Sequence, residues 1–288
     1  MGTPAVVVRP ISAGDATAVG RFLHQQLNQR VSAAAWAVLL SPPWRSDAPN
    51  HGFQLLSDDA IVGVYAAVYS ERDIAGERVA FCNLAAFCVL EEYRTHSLRL
   101  VRALLGQKGY VFTDLSPSGN VIALNERLGF TRLDTATRLV ANLPRISGRG
   151  TRVTTDPAAL ERTLTGRDAD VYRDHREAPA AQHLLVERDG AHGYLVYRRD
   201  RRKRLPLFAT PLYAGGDRGV LRQAWPAVGA HLLRQGLPLT LAERRVLGFA
   251  PGGPGTELSQ PRPKMFRAAD VDPESIDHLY SELTLVRW

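Results

Sequence analysis

The sequence predicts a mixed α/β (α+β) layer fold, present as two tandem copies of one unit. In the first half, an antiparallel run of strands passes into a strand–helix–strand alternation. The hydrophobic period switches from strand-like to helical at Ser97. One stretch also returns. Leu104-Leu105-Gly106-Gln107 leads through Gly109 to Thr113, and Leu232-Leu233-Arg234-Gln235 leads through Gly236 to Thr240. A chance echo is the alternative reading of that return.

The elements follow in order. Val6 to Arg9 reads as a short strand. Asp15 to Gln29 has helical spacing, with Val19, Phe22, Leu23 and Leu27 on one face, and Ala33 to Leu40 continues as a helix stopped by Pro42-Pro43. Phe53 to Leu56 and Ile61 to Ser70 are strands around an Asp58-Asp59 turn. Gly76 marks the next turn, before a long apolar strand from Arg78 to Leu90. Ser97 to Gln107 is a helix capped by Gly109. Tyr110 to Leu115 is a strand, Ser118 to Leu128 a helix, and Phe130 to Ala141 a further strand. Asn142 to Thr155, rich in Gly, Pro, Arg and Ser, reads as a linker, so domains of 1–143 and 144–288 are expected.

The second half reads as a worn copy of the first. Leu184 to Tyr197 and Leu205 to Tyr213 form a hairpin, Gly219 to Arg234 a helix, and Leu237 to Leu241 a strand. Gly248 to Pro263 is a Gly/Pro-rich loop. Lys264 to Ala268 and Leu283 to Trp288 bracket a helix near Pro273 to Tyr280.

A chain of 288 residues with 45% hydrophobic and 23% charged residues can bury the cores of two ordinary domains. No apolar run approaches the roughly 18 residues of a membrane span, and Met1 to Pro10 lacks the pattern of a secretory leader. Cys82 and Cys88 share one apolar strand, roughly 20 Å apart at about 3.3 Å per residue, too far to bridge. They read as buried thiols in a reducing, cytoplasmic compartment, and no metal site is expected. The net charge of +7 permits an anionic partner. The basic cluster Arg198 to Arg204 separates two strand-like runs and reads as a solvated hairpin tip, with no nucleic-acid motif beside it.

The stretch Phe87-Cys88-Val89-Leu90-Glu91-Glu92-Tyr93-Arg94-Thr95-His96-Ser97-Leu98-Arg99-Leu100 resembles the acyl-CoA motif of the GNAT acyltransferase superfamily. Ser116-Pro117-Ser118 through Leu128-Gly129-Phe130 resembles that family's later helix and its Leu-Gly-Phe ending. The resemblance covers about Val6 to Asp134. It implies a GNAT-like fold and acetyl-CoA or another acyl-CoA as donor. The donor's pantetheine arm would lie along Phe87, Cys88, Val89 and Leu90. Its phosphates would meet Arg94, Thr95, His96, Ser97, Leu98 and Arg99, with Ser118 nearby. The residues themselves offer a helix N-terminus near Ser97, which carries unpaired N–H groups and partial positive charge.

The pattern departs from the family at named positions. Ser97 and Arg99 take the places of small residues in the phosphate loop, where glycine permits close approach. Asn83 stands where many members carry a glutamate base, and Asn125 where many carry a tyrosine acid. An amide neither accepts nor donates a proton near neutral pH. The candidate catalytic set is therefore Asn83, Asp114 and Asn125, with Asp114 read either as a base or as a cap of the following turn. Ser116 and Ser118 read as helix caps or as hydroxyls of the site. Trp36, Trp44, His51 and Tyr69 are candidates to line the acceptor pocket, or else ordinary packing.

The resemblance implies an acyltransferase acting on an amine of a small molecule. The alternative is a catalytically inactive GNAT-like binding module. Neither a membrane nor nucleic acid is expected as a partner, and a homodimer is left open.

Overall fold

The structure is a computed structural model that describes residues 5–145, 150–202 and 205–288. Along the chain come β1 (Val6–Pro10), α1 (Ala16–Gln26), α2 (Ala33–Ala37), β2 (Gly52–Ser57), β3 (Ala60–Ile74), β4 (Glu77–Val89), α3 (Ser97–Leu105), β5 (Tyr110–Asp114), α4 (Gly119–Arg127) and β6 (Thr131–Arg132). There follow β7 (Thr137–Ala141), β8 (Thr151–Thr154), α5 (Pro157–Thr163), α6 (Gly166–His175), β9 (Gln182–Arg188), β10 (Ala191–Arg202), β11 (Leu205–Gly216), α7 (Arg218–Gln223), α8 (Trp225–Arg234), β12 (Leu239–Glu243), α9 (Arg244–Leu247) and β13 (Gly255–Glu257). Last are β14 (Met265–Arg267) and α10 (Glu282–Leu285).

Local chemistry explains the main boundaries. Three strand pairs turn through two residues with positive φ: Asp58-Asp59, Ala75-Gly76 and Asp189-Gly190. That backbone matches the right-handed twist of the strands it joins, and Asp and Gly tolerate it best. The helix α3 buries Leu100, Val101 and Leu104, a one-sided stripe at helical spacing. The middle of β3, Val62 to Ser70, is buried throughout, which is why its sequence is a continuous apolar run.

The first unit comprises Met1–Leu133, Pro263–Ser275 and Tyr280–Trp288, and the second Asp134–Arg262 and Ile276–Leu279. The first carries a seven-stranded sheet in the order β1-β2-β3-β4-β5-β14-β6. Its neighbouring strands are antiparallel except β4 and β5, which are parallel and joined through α3. Leu55, Tyr65, Leu100, Leu104, Phe112, Phe130 and Met265 belong to its core. The second unit has its own seven-stranded sheet, ordered β13-β7-β12-β11-β10-β9-β8. Read from β8, it repeats the first: four antiparallel strands, then the parallel pair β11 and β12, then two antiparallel strands. Leu184, Leu195, Leu221, Trp225, Val228 and Leu232 belong to its core. The structure is therefore two mixed α/β units in tandem. The echo noted at Leu104 and Leu232 falls at matching places, the end of α3 before β5 and the end of α8 before β12.

The division differs from the expected 1–143 and 144–288. Phe130 to Ala141 is not one strand. It breaks at Leu133 into β6, in the first sheet, and β7, which pairs with β12 in the second. The sixth place of the first sheet is taken instead by β14, which arrives after the second unit. Part of the expected linker is the strand β8, paired with β9, while residues 146–149 lie outside the described residues. Leu184 to Tyr197 is two strands, β9 and β10. Gly219 to Arg234 is two helices, broken at Ala224 ahead of Pro226, which has no N–H to continue the ladder. The stretch near Pro273 to Tyr280 holds only a 3₁₀ turn at Pro273–Ser275, and helix returns at α10. Among the described residues, no helix is long and apolar enough to cross a membrane.

The basic cluster also differs from its reading as a solvated tip. The hairpin is present as β10 and β11, but Arg198 is 2% exposed. Its guanidinium lies 2.9 Å from the buried Asp200 carboxylate, which also accepts from Thr210 at 2.6 Å. Lys203 and Arg204 lie outside the described residues. Removing one partner of a buried pair leaves the other charge poorly compensated. Asp200→Ala is expected to destabilise the protein by about 3 kcal/mol or more, read as a lower denaturant midpoint. An unchanged midpoint would contradict the buried pair.

Candidate active site

In the first unit the β4–β5 ladder is short. Among the described residues it runs only from Ala80–Tyr110 to Asn83–Thr113. β4 continues for six more residues, paired on one edge to β3. β5 ends one residue later, at Asp114. From Phe87 to Val89 β4 is only half-buried, as expected where a covering strand has left. The two strands part there in a wedge, and among the described residues Leu84 to Val89 has no ladder partner on the β5 side.

Polar side chains gather at the apex of this wedge. Thr113 Oγ1 donates to Asn83 Oδ1 at 3.0 Å. Asn83 Nδ2 donates to the Glu282 carboxylate, and Ser116 Oγ donates to Glu282 Oε1 at 2.6 Å. Asn125 Nδ2 donates to Asp114 Oδ2 at 2.8 Å. Asn83, Thr113 and Glu282 are 0% exposed, Asn125 2% and Asp114 6%, whereas Ser116 is exposed. Burial, with the Glu282 carboxylate adding to it, pushes Asp114 up to about 7 against the lowering effect of hydrogen bonds from Asn125 and the Ser116 backbone.

Of the three residues expected to be catalytic, Asp114 and Asn125 are bonded to each other, while Asn83 belongs to a second group with Thr113, Glu282 and Ser116; the Glu282 charge acting on Asp114 is what links the two. Glu282 was not among the expected residues. It lies 166 residues beyond Ser116, in a tail whose short helix shows no helical stripe, so no local pattern marked it. Ser116 is a member of the site rather than a cap. Ser118 holds the N-cap place of α4 without a side-chain capping bond.

The residues expected to hold the donor divide in two. Phe87, Cys88 and Val89 lie on this edge of β4 and Leu90 just past it, with the Phe87 ring tilted against Tyr65 at 4.6 Å and the Leu90 N–H bonded to the Val62 carbonyl. Cys88 is half-buried, not buried as expected. Burial raises its thiol pKa while Arg94 lowers it, whereas burial pushes Cys82 up to about 12. The phosphate half departs from expectation. Glu91–His96 forms a 3₁₀ turn that runs straight into α3, and the Ser97 N–H bonds to the Arg94 carbonyl. The α-helix begins at Ser97 as expected, but the 3₁₀ turn from Glu91 leads into it without a break, so the Ser97 N–H is already bonded. No glycine at Ser97 or Arg99 opens this loop. Arg99 turns away to the Val6 carbonyl at 2.7 Å. Arg94, Thr95 and Leu98 are exposed, and His96 and Ser97 half-buried. A phosphate here would be met by the Arg94 and His96 side chains rather than by a backbone cradle.

The aromatic acceptor candidates are packed. Trp44 donates from Nε1 to the Tyr69 carbonyl at 3.0 Å and stacks edge-on with Tyr280 at 5.2 Å. Trp36 lies 6.4 Å from Trp288 and bonds to the Asn28 carbonyl. Tyr69 hydroxyl bonds to Asn50 and accepts from Gln107, both at 2.8 Å. His51 is half-buried, and burial lowers its pKa. Trp36, Trp44 and Tyr69 therefore anchor the fold and the tail instead of lining an open pocket.

The matching place in the second unit is filled. Among the described residues β11 pairs with β12 only at Phe208 and Ala209. Beyond that, the His278 N–H donates to the Leu212 carbonyl at 3.2 Å, and Arg245 donates to Ile276. Glu243, Arg245 and His278 form one buried cluster there. The open wedge belongs to the first unit.

This fold is that of the GCN5-related N-acetyltransferases. No family model matches the sequence, and no curated protein sequence matches it. Solved structures do. A GCN5-related N-acetyltransferase from Anabaena variabilis is 12% identical with a TM-score of 0.59, over 91% of this chain and 72% of its own. One from Kribbella flavida is 15% identical with a TM-score of 0.56, over 92% and 71%. A putative acetyltransferase from Pyrococcus horikoshii is 12% identical with a TM-score of 0.55, over 98% and 97%.

The raised Asp114 has a measurable consequence. A carboxyl whose folded pKa exceeds its unfolded value adds stability at low pH and loses it as pH rises through the folded pKa. From the ordinary 3.8 to about 7, that loss is at most about 4 kcal/mol. Asp114→Asn removes the titration. Its Tm is expected to gain several degrees on the wild type between pH 4 and pH 8. Parallel Tm–pH curves would contradict the buried, raised carboxyl.

Proposed function

We propose that the chain is an acyltransferase that moves an acetyl or other acyl group from coenzyme A to an amine of a small molecule. The observation that carries this reading is the wedge between β4 and β5, with a free strand edge along its length and buried carboxylates at its apex. A free edge can pair with the amides of a pantetheine arm much as it would with another strand. Acyl transfer from a thioester to an amine needs a group that takes the amine proton. Asn83 and Asn125 cannot do so, but Asp114 and Glu282 can. Amide donors and a hydroxyl hold these carboxylates in place, so little reorganisation is required when charge moves. The two cysteines, six residues apart on one strand, fit a reducing cytoplasmic setting.

A second reading, an inactive GNAT-like binding module, is favoured by one observation. Glu91 and Glu92 stand at the start of the 3₁₀ turn, where negative charge opposes a pyrophosphate.

Calorimetric titration of the full chain with acetyl-CoA and with coenzyme A separates the two. Saturable binding at one site per chain is expected, weakened about tenfold by Arg94→Ala, the loss of one charge-assisted phosphate contact. Absence of binding to either ligand would reject the acyltransferase and leave the inactive module.

A further inference from the structure

One of the carboxylates at the wedge is delivered by the far end of the chain. Tyr280 has φ +55, a backbone conformation strained for a bulky residue. Its ring is held against Trp44 and under Arg72, whose guanidinium lies 5.2 Å from the ring centre. The chain turns there into α10. Ser281 caps that helix by accepting from the Leu283 N–H, and Thr284 Oγ1 bonds back to the Ser281 carbonyl at 2.8 Å. Ser281 to Val286 is buried throughout. The segment is therefore fixed, and its first helical residue, Glu282, meets Asn83 on β4 and Ser116 beyond β5. The charged neighbour facing Glu282 from β5 is Asp114.

Asn83 satisfies both ends of its amide, accepting from Thr113 and donating to Glu282. It orients a carboxylate that it does not itself carry. Glu282 has no exposed surface, but Ser116, bonded to its Oε1, is exposed. A proton can thus pass from outside to the buried carboxylate through one hydroxyl.

We propose that Ser116 is the catalytic residue that meets the acceptor amine, and that Glu282 is the positioning residue that receives its proton. This rests on the acyltransferase reading. In the step, the amine nitrogen bonds to the thioester carbonyl carbon and the carbon–sulfur bond breaks. The nitrogen proton moves to Ser116 Oγ as the Ser116 hydroxyl proton moves to Glu282 Oε1. The relay then runs back and the leaving thiolate takes up the proton. Amine and thioester become amide and thiol, with Ser116 and Glu282 restored.

The test is thiol release by the full chain with acetyl-CoA and with lysine, spermidine or tyramine as acceptor, across pH 6 to 9. Glu282→Gln keeps the size and can still accept from Asn83, while its amide nitrogen donates to Ser116 Oγ and cannot take a proton from it. It is expected to lower kcat about a hundredfold, to leave the calorimetric Kd for acetyl-CoA within about twofold, and to change the pH–rate profile. Ser116 is exposed, so Ser116→Ala does not depend on core packing. It is expected to lower kcat, whereas Ser116→Thr, which keeps the hydroxyl, retains most of it. Unchanged kcat and pH profile in Glu282→Gln would overturn the relay while leaving acyl transfer standing. Wild-type protein that releases no thiol with any of the three amines would overturn both.

Discussion

Pairing between β4 and β5 stops at Asn83 and Thr113, and the chemistry of the first unit depends on that stop. Had the two parallel strands continued together, Asp114 and the edge from Leu84 to Val89 would lie inside a closed ladder. Instead β5 turns away through Ser116 and Pro117 into α4, and the strand edge opens. The buried polar groups at the apex are tolerated because each has a partner: Thr113 on Asn83, Asn83 and Ser116 on Glu282, Asn125 on Asp114. A buried carboxylate without such donors would lose far more in desolvation than the fold could offset. The same opening in the second unit is stopped up by Ile276 to Leu279.

Much of the fold was legible because it rests on short-range rules. The helical stripe of α3, the turns at Asp58-Asp59 and Gly76, and the long apolar strand β4 all announce themselves within a dozen residues. The echo between Leu104 and Leu232 marked the repeat, and both copies place a helix end before the inner parallel strand. What failed was long-range. Nothing near Phe130 to Ala141 says that β7 pairs with β12, or that β14, more than a hundred residues later, fills the vacated place. Arg198 reads as a surface charge because its neighbours are basic. Only the register of β10 against β11 shows it buried beside Asp200.

The site was half legible for the same reason. Asn83, Asp114 and Asn125 could be found by their places relative to the strand and helix that resemble a known motif. Glu282 could not, since its importance comes from where the tail is held by Trp44, Arg72 and Trp36. Two of the aromatic residues read as pocket lining or packing, Trp36 and Trp44, lie against that tail at Trp288 and Tyr280. Asn83 on β4 and Glu282 on α10, far apart in the chain, meet through one hydrogen bond.

The most direct measurement is a crystal structure of the full chain with coenzyme A. The account predicts that the pantetheine arm lies along Leu84 to Val89 with its sulfur beside Ser116 and Glu282. Coenzyme A bound elsewhere on the chain, with the β4 edge bare, would contradict it.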